Sequence, residues 1–450
     1  MNDNPFYHLG PIRQAEHFYN RRSEVRNVLR LLSKSQNVEV RGPRRIGKTS
    51  FLHYISDLAN WHAHNIDPHH NLPVIIDCQD LVGQGKQAQV YQIMLERIVE
   101  SARRLGIDSV FASWDEPTGG KAFRSTLKDL SQGGLRTVLL LDEFENMAHN
   151  AHLGPGFFSN LRALCSADDI AVVYVTASCV SLADLCLERQ SLLSSPFFNL
   201  FRPIRLGLFS KQDSRRLIED SLCRVDARFP GELVDMVLEV GGGHPCFLQI
   251  AGYHAFNLVD TDGELTQDQY KAFRRAFNAE ATAHFKYFWQ KLDEQEQYVL
   301  AALPLVWKDL NYLETVEHLR NQCLIAKDNN RYDYFSPLLE EFVRRQNVRG
   351  LLQSGPLLVD QRRHQVSLKG ERLNVSPTSY ALLSCLMGRA GQLVSKEELY
   401  RAVWPDEPHT TDQQLKSGIK GLRRDLGEAA NCIHNERGIG FVFLQPGASW

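Results

Sequence analysis

The sequence predicts an α/β protein with a parallel sheet covered by helices on both faces, followed by helical and smaller mixed segments. Three observations carry this. The runs 72–78, 137–143 and 171–176 are nearly continuous in apolar residues and separated by helical patterns, as strands buried on both faces of a parallel sheet read. A glycine-rich stretch, Gly42-Pro43-Arg44-Arg45-Ile46-Gly47-Lys48-Thr49, stands between the alternating run 38–41 and a helical pattern over 49–60. From residue 357 onward short strands, tight turns and moderate helices replace that pattern.

The bulk properties leave room for several domains. At 450 residues the chain can hold roughly two to four cores. Apolar content of 43% and charged content of 23% are those of an ordinary globular protein, and a net charge of −2 excludes a globally basic nucleic-acid binder. Any basic surface has to be local. The nine cysteines are scattered singly with no C-x-x-C pair, and read as buried thiols of a reducing compartment. No apolar run reaches the roughly 18 residues a membrane helix needs, and the polar start Met1-Asn2-Asp3-Asn4 is no signal peptide. The expected location is cytoplasmic, with no membrane partner.

Taken in order, residues 5–12 form an irregular lead-in with aromatics and prolines, followed by Phe18–Glu24 and a helix carrying Val25, Val28, Leu29, Leu31 and Leu32. Then comes the glycine-rich stretch, whose pattern is G-x-x-x-x-G-K-[ST]. Gly42 and Gly47 let the backbone curl so that successive N–H groups converge on phosphate oxygens, and the next helix adds the positive end of its dipole. Arg45 and Ser50 flank the site, Lys48 is placed to neutralise β- and γ-phosphates, and Thr49 to offer a hydroxyl to Mg²⁺. The pattern therefore implies a nucleoside triphosphate. His62, His64, His69 and His70 follow in a spacing that fits no standard zinc pattern and reads as a polar loop.

Helical patterns over 87–104 and 121–130 lead to Thr137-Val138-Leu139-Leu140-Leu141-Asp142-Glu143. A buried strand ending in two acids supplies what a hydrolysing site needs opposite its phosphate loop. Asp142 would hold the Mg²⁺ shell and Glu143 would orient or deprotonate the attacking water. The next strand ends in Thr176, Ala177 and Ser178, and Thr176 is a candidate γ-phosphate sensor; a plain strand cap is the alternative. Ligands in such folds lie at the carboxyl ends of strands, where Asp142, Glu143 and Thr176 all fall. Residues 203–208 read as the last strand. Helices over 214–223 and 231–240 follow, then Gly241-Gly242-Gly243-His244-Pro245-Cys246-Phe247-Leu248-Gln249, in which glycines end one helix and Pro245 opens the next.

These pieces together resemble the STAND branch of the P-loop ATPases, near the AAA+ and archaeal-type ATPases, over about residues 5–345. The resemblance rests on Phe18–Glu24 (similar to an F-x-G-R-x-x-E box with Asn20 in place of the glycine), Gly42–Thr49, Val138–Glu143, Thr176 and Gly241–Gln249. It implies that Pro245 touches the adenine and that Arg21 lies near the nucleotide. It also implies an ATPase domain over 1–209, a helical lid over 210–283 and a winged helix over 284–349. The family histidine that reaches the β-phosphate has no match here, and Arg189 is the one arginine-finger candidate outside the loop.

Residues 350–356 read as a break with Gly355-Pro356 at its end. Beyond it lie strands 357–360 and 365–368, a helix capped by Ser376-Pro377, a second starting at Val394-Ser395, a third over 412–426 and a hairpin over 433–444. This region resembles the OmpR/PhoB-type winged-helix output domain. The matches are Val375-Ser376-Pro377, Tyr380-Ala381-Leu382-Leu383, Gly391–Leu399, Val403-Trp404, Ile419–Leu426 and Arg437–Phe441. The resemblance makes 350–450 a winged-helix DNA-binding domain, with Lys416, Lys420, Arg423 and Arg424 reaching the major groove and Asn435 and Arg437 from the wing reaching the minor groove. Gly418 and Gly421 stand where that family often carries DNA-contacting side chains.

The whole reads as an ATP-dependent switch with double-stranded DNA as its output partner, a transcription regulator that forms a homo-oligomer in the ATP state. A protein or a nucleic acid is the expected trigger, unless the ATP/ADP ratio itself is. Two other readings follow from the same motifs: an ATPase that works on DNA in replication, transposition or defence, and a scaffold whose last domain binds protein.

Overall fold

The computed structural model describes residues 3–6, 10–81, 86–107, 119–188, 199–258, 266–328, 331–405 and 411–444. Arg189 and part of the lead-in lie outside them. The chain forms two compact units, Met1–Phe273 and Arg274–Trp450, and the boundary falls inside the 25-residue helix Gln267–Lys291.

In the first unit, strands β1 (Asn37–Arg41), β2 (Asn71–Asp77), β3 (Arg136–Asp142), β4 (Val172–Ser178) and β5 (Phe201–Arg205) form a parallel sheet in the order β2-β3-β4-β1-β5. Every residue of β4 is buried, as is every residue of β3 after Arg136, which is why residues 138–141 and 172–175 carry no charged side chain. One face of the sheet packs Leu139, Leu141 and Tyr174 against helices Gln87–Arg104, Gly119–Gln132 and Pro155–Cys165.

The phosphate-loop helix is Lys48–Ser56, shorter than the pattern over 49–60 suggests. Asp57 ends it by accepting the Ala59 N–H with its own side chain, and so caps a separate helix, Leu58–Ala63. Lys211–Cys223, Gly231–Gly241 and Pro245–Phe256 form the helical region after the sheet. Between the last two, Gly243 has φ 77°, and a Cβ there would lie 2.6 Å from the Phe209 carbonyl oxygen. Only glycine fits.

In the second unit, helices Glu294–Ala301 and Leu313–Asn321, the hairpin β6 (Ile325–Asp328) and β7 (Arg331–Tyr334), and helix Pro337–Val343 come first. Then β8 (Leu351–Ser354), β9 (Leu357–Asp360), β10 (Gln365–Leu368) and β11 (Glu371–Leu373) form an antiparallel sheet in the order β11-β10-β9-β8. Helices Pro377–Met387, Lys396–Val403 and Asp412–Leu426 follow, closed by a sheet of β12 (Leu393–Ser395), β13 (Ile433–Glu436) and β14 (Gly440–Phe443) in the order β12-β14-β13.

Three expectations change. Residues 351–354, read as a break, are a strand that pairs with β9. Val394 and Ser395 lie in β12, and the helix starts at Lys396 behind a capping box of Ser395 and Glu398. All nine cysteines are free thiols, but only Cys78, Cys186, Cys323 and Cys432 are buried; Cys165, Cys179, Cys246 and Cys385 are partly buried and Cys223 is exposed. Among the described residues no helix is long and apolar enough to cross a membrane, and no group of three or more His, Cys, Asp or Glu could hold a metal ion.

Candidate nucleotide site and nucleic-acid interface

Gly42 to Thr49 connects the end of β1 to the helix Lys48–Ser56. A Cβ on Gly42 would stand 2.7 Å from Ile46 Cγ2 and 2.9 Å from the Leu206 carbonyl, so the tight curl excludes any side chain. Gly47 caps the helix with φ 97°, and Arg45 adopts φ 64°. Lys48 is buried, and its ammonium donates to the carbonyls of Gly42 (2.8 Å) and Pro43 (3.1 Å) and to Cys179 Sγ (3.1 Å). The Ser50 hydroxyl accepts the Ile12 N–H at 2.9 Å, which lays the lead-in across the start of the helix.

The sheet brings Asp142 to this loop. The Thr49 side chain stands close enough to the Asp142 carboxyl to favour its ionised form, and the two are the pair expected to share a metal ion. Burial raises the Asp142 carboxyl above its ordinary range, opposed by Thr49, the Glu143 N–H and the charge of Lys48. Glu143 takes a left-handed conformation, φ 45°, at the start of helix Phe144–His149, and its Oε2 accepts from Asn146 Nδ2 at 3.1 Å.

Thr176 is not brought to the loop. It lies beside Glu39 and Leu141 in the sheet register, on the face that holds Tyr174 and away from Asp142. It is fully buried and its hydroxyl has no partner. The period of two along a strand turns that side chain to the wrong face. Cys179, just past the strand end, reaches Lys48 instead, and its N–H donates to Glu145 Oε1 at 3.2 Å. Neither Cys179 nor Glu145 carries a signal in the sequence, because their place depends on the register of β4 against β1.

Asn20 and Arg21 both have positive φ, 61° and 63°. The glycine of the resembled box is thus a left-handed position, one that asparagine tolerates better than most side chains. Arg21 is buried; its Nη2 donates to Gly207 O at 2.5 Å and Ile46 O at 3.5 Å, and its guanidinium lies 4.7 Å from the centre of the Phe209 ring. Phe209 N–H in turn donates to Gly243 O at 2.7 Å, and Arg45 reaches Cys246 Sγ at 3.7 Å, next to Pro245. Arg21 therefore joins the phosphate loop to the exit of β5, and Pro245 stands at the opening of the helix Pro245–Phe256 beside that loop.

In the second unit, Lys416, Lys420 and Arg424 follow each other at intervals of four on the helix Asp412–Leu426, all exposed, while Leu415, Ile419, Leu422 and Leu426 are buried. The two acids of this helix are engaged by neighbouring side chains. Asp412 accepts from Lys396 Nζ (2.9 Å) and the Tyr400 hydroxyl (2.8 Å), and Asp425 from the Ser379 hydroxyl (2.7 Å), bonds that hold both carboxyls below their usual range. Asn435 and Arg437 are exposed on the hairpin. Arg423 differs from its neighbours: it is half-buried and donates to the Ile433 carbonyl at 2.8 Å, pinning the helix to β13.

Gly418 and Gly421 face the helix Pro377–Met387 rather than outward. A Cβ on Gly418 would meet Leu382 Cδ1 at 3.1 Å and Thr378 and Trp404 at 3.4 Å, whereas one on Gly421 would have only Ser379 Oγ within reach, at 3.9 Å. Close helix packing accounts for Gly418, and the outward cations are unaffected by either glycine. Gly421→Ala is expected to stabilise the fold by about 1 kcal/mol, raising Tm by about 2–4 °C at unchanged DNA affinity. Gly418→Ala should gain less because Leu382 must move. Thermal unfolding of both variants checks this, and a loss of DNA affinity in Gly421→Ala would contradict it.

The comparisons follow this division. The family model described as novel STAND NTPase 2 matches residues 41–304, more than half of the chain. The chain belongs to the novel STAND NTPase 2 family. A second model, transcriptional regulatory protein, C terminal, matches residues 370–443 of this STAND NTPase. Among curated proteins, it is 37% identical over 110 residues to the transcriptional regulatory protein BasR of Escherichia coli K12, covering 24% of this chain and 48% of BasR. It is 30% identical over 116 residues to the response regulator protein PmrA of Pseudomonas aeruginosa, covering 25% and 52%. The chain spans about half the length of these relatives. Among solved structures, the Walker-type ATPase PABY2304 of Pyrococcus abyssi superposes with a TM-score of 0.54 at 15% identity, covering 75% of this chain and 99% of that one, a likeness of fold alone. The STAND NTPase thus joins a nucleotide-binding P-loop domain to a winged-helix domain of the OmpR/PhoB type.

Proposed function

We propose that this protein is a nucleotide-controlled DNA-binding regulator of transcription, in which ATP binding and hydrolysis set the arrangement and self-association of its DNA-binding domains. The observation that carries the reading is the coexistence of two features. One is a phosphate loop whose Lys48 and Thr49 stand beside the buried carboxyl of Asp142; the other is a helix whose exposed stripe is Lys416, Lys420 and Arg424. The proposed division is an ATPase domain over 1–209, a lid over 210–283 and winged helices over 284–349 and 350–450.

The residues fit ATP with Mg²⁺. The Gly42 curl leaves no room for a side chain, and a hydroxyl and a carboxylate stand together where oxygen ligands are wanted. Thr49 and Asp142 would hold the Mg²⁺, which supplies charge neutralisation for the phosphates. The loop amides after Gly42, with Arg45, Gly47 and Ser50, would cradle the phosphates, and Lys48 would exchange its own loop's carbonyls for phosphate oxygens. Pro245 would pack on the adenine, while Arg21 holds the loop from behind. Glu143 would take the proton of the attacking water. Lys416, Lys420 and Arg424 would contact double-stranded DNA from the helix, and Asn435 and Arg437 from the wing. Slow turnover suffices for a switch, because hydrolysis only resets it.

The expected result is that DNA affinity differs at least several-fold between the ATP and ADP forms, with mass in solution rising in ATP as copies associate. Gel-shift titration and light scattering with each nucleotide check it. Equal affinity with ATP, ADP and no nucleotide would sink the control. Hydrolysis strongly stimulated by DNA of any sequence would instead favour an ATPase that works on DNA.

A further inference from the structure

Residues 351–368 precede the segment that matches the regulatory-domain model, yet β9 and its turn make a fully buried polar contact in the second unit. Asp360, at the end of β9, is fully buried and uses both carboxylate oxygens. Oδ1 accepts the N–H groups of Arg362 (3.0 Å) and Arg363 (3.2 Å), and Oδ2 accepts the hydroxyl of Tyr298 at 2.6 Å. Tyr298 is itself fully buried in the helix Glu294–Ala301, 62 residues earlier in the chain. The Arg362 guanidinium covers the Tyr298 ring at 4.1 Å. Arg363 bridges to Asp309 (2.7 Å) and to the Leu305 carbonyl (2.9 Å), and Gln353 of β8 donates to the Ala301 carbonyl at 3.2 Å. A loosely tethered domain would leave this face to water. Here a buried carboxylate is fully bonded, and removing its partner would strand a charge.

We propose that the sheet β8–β11 is a docking platform for the helices 294–306 of the same chain, keyed by Tyr298 and Asp360. The two winged-helix regions then form one rigid arm, and the DNA-contacting stripe is positioned from the helix Glu294–Ala301 rather than hung on a linker. This rests on the proposed regulator only for its purpose. Any nucleotide control of DNA binding then acts on the arm as a whole, and the last domain is never released alone. Tyr298 and Asp360 are positioning residues, far in sequence from the DNA-contacting stripe.

The test is hydrogen exchange on the full-length chain, wild type against Tyr298→Phe, which keeps the ring and deletes only the hydroxyl. Asp309→Asn serves as a second, surface-side variant. In wild type, amides of 298–306 and of β10 and β11 should be protected together in both ATP and ADP. Tyr298→Phe should speed exchange on both sides of the seam about 10- to 100-fold, as loss of a hydrogen bond to a buried charge predicts. Asp309→Asn should do so several-fold, with β1–β5 and the helix Asp412–Leu426 unchanged. Unaltered exchange in both variants, or a change confined to one side of the seam, would overturn the arm. Where wild type shows an ATP-to-ADP ratio in DNA affinity, Tyr298→Phe should reduce it, and an unreduced ratio despite faster exchange overturns the positioning role. A wild type without any such ratio defeats the regulator reading, while the exchange result still judges the arm.

Discussion

Glu143→Gln is expected to bind ATP about as tightly as wild type and to hydrolyse it about 10²–10⁴-fold more slowly, the range lost with a general base. The substitution keeps the shape of the side chain and its contact with Asn146 Nδ2, now 3.1 Å from Oε2, while removing the group that would accept the proton. Nucleotide binding and single-turnover phosphate release separate the two effects. Wild-type turnover in this variant would shift the base to Glu145. That side chain has one oxygen on the Cys179 N–H and the other, Oε2, buried without a partner. The ATP-trapped protein is also the form in which DNA binding should stay at its ATP-state value.

The second large effect concerns salt. Lys420→Ala combined with Arg424→Ala should flatten the dependence of log K on log salt by about 1.8, or 0.9 for each lost phosphate contact. Arg423→Ala should behave differently, because its guanidinium holds the Ile433 carbonyl at 2.8 Å. It should lower the thermal stability of the hairpin region, by about 0.5–1.5 kcal/mol for one hydrogen bond, with a smaller change in slope. Binding isotherms at several salt concentrations, with melting curves beside them, distinguish the two. An unchanged slope in the double variant would remove the helix from the DNA interface and favour a protein partner for this domain.

What could be read without coordinates was whatever local pattern encodes. The strand-to-helix context of Gly42–Thr49, the buried run before Asp142 and the alternation of buried and cationic positions over 412–426 all follow from periodicity and turn chemistry. What escaped depends on register and on distant contacts. Thr176 and Cys179 differ by three positions, and only the pairing of β4 with β1 decides which of them meets Lys48. Gly418 could be placed on a helix, but the neighbour that crowds it, Leu382, comes from another helix. The short strands β8 and β12 lack enough residues for a periodic signal, and pairing alone defines them. Asn20 was a departure from a resembled box until its φ of 61° gave the departure a reason.

The placement of β1 has a consequence for the order of assembly. This strand leaves the ribosome before the other four, yet it lies between β4 and β5, the last two to be made. Arg21, which braces the phosphate loop, closes a contact across 186 residues to Gly207. Contacts of such sequence separation form slowly, because the intervening chain must first be ordered. The phosphate loop is therefore among the earliest segments synthesised and among the last to acquire its shape. A chain truncated before residue 201 would carry every residue of the motif and lack the strand that flanks it.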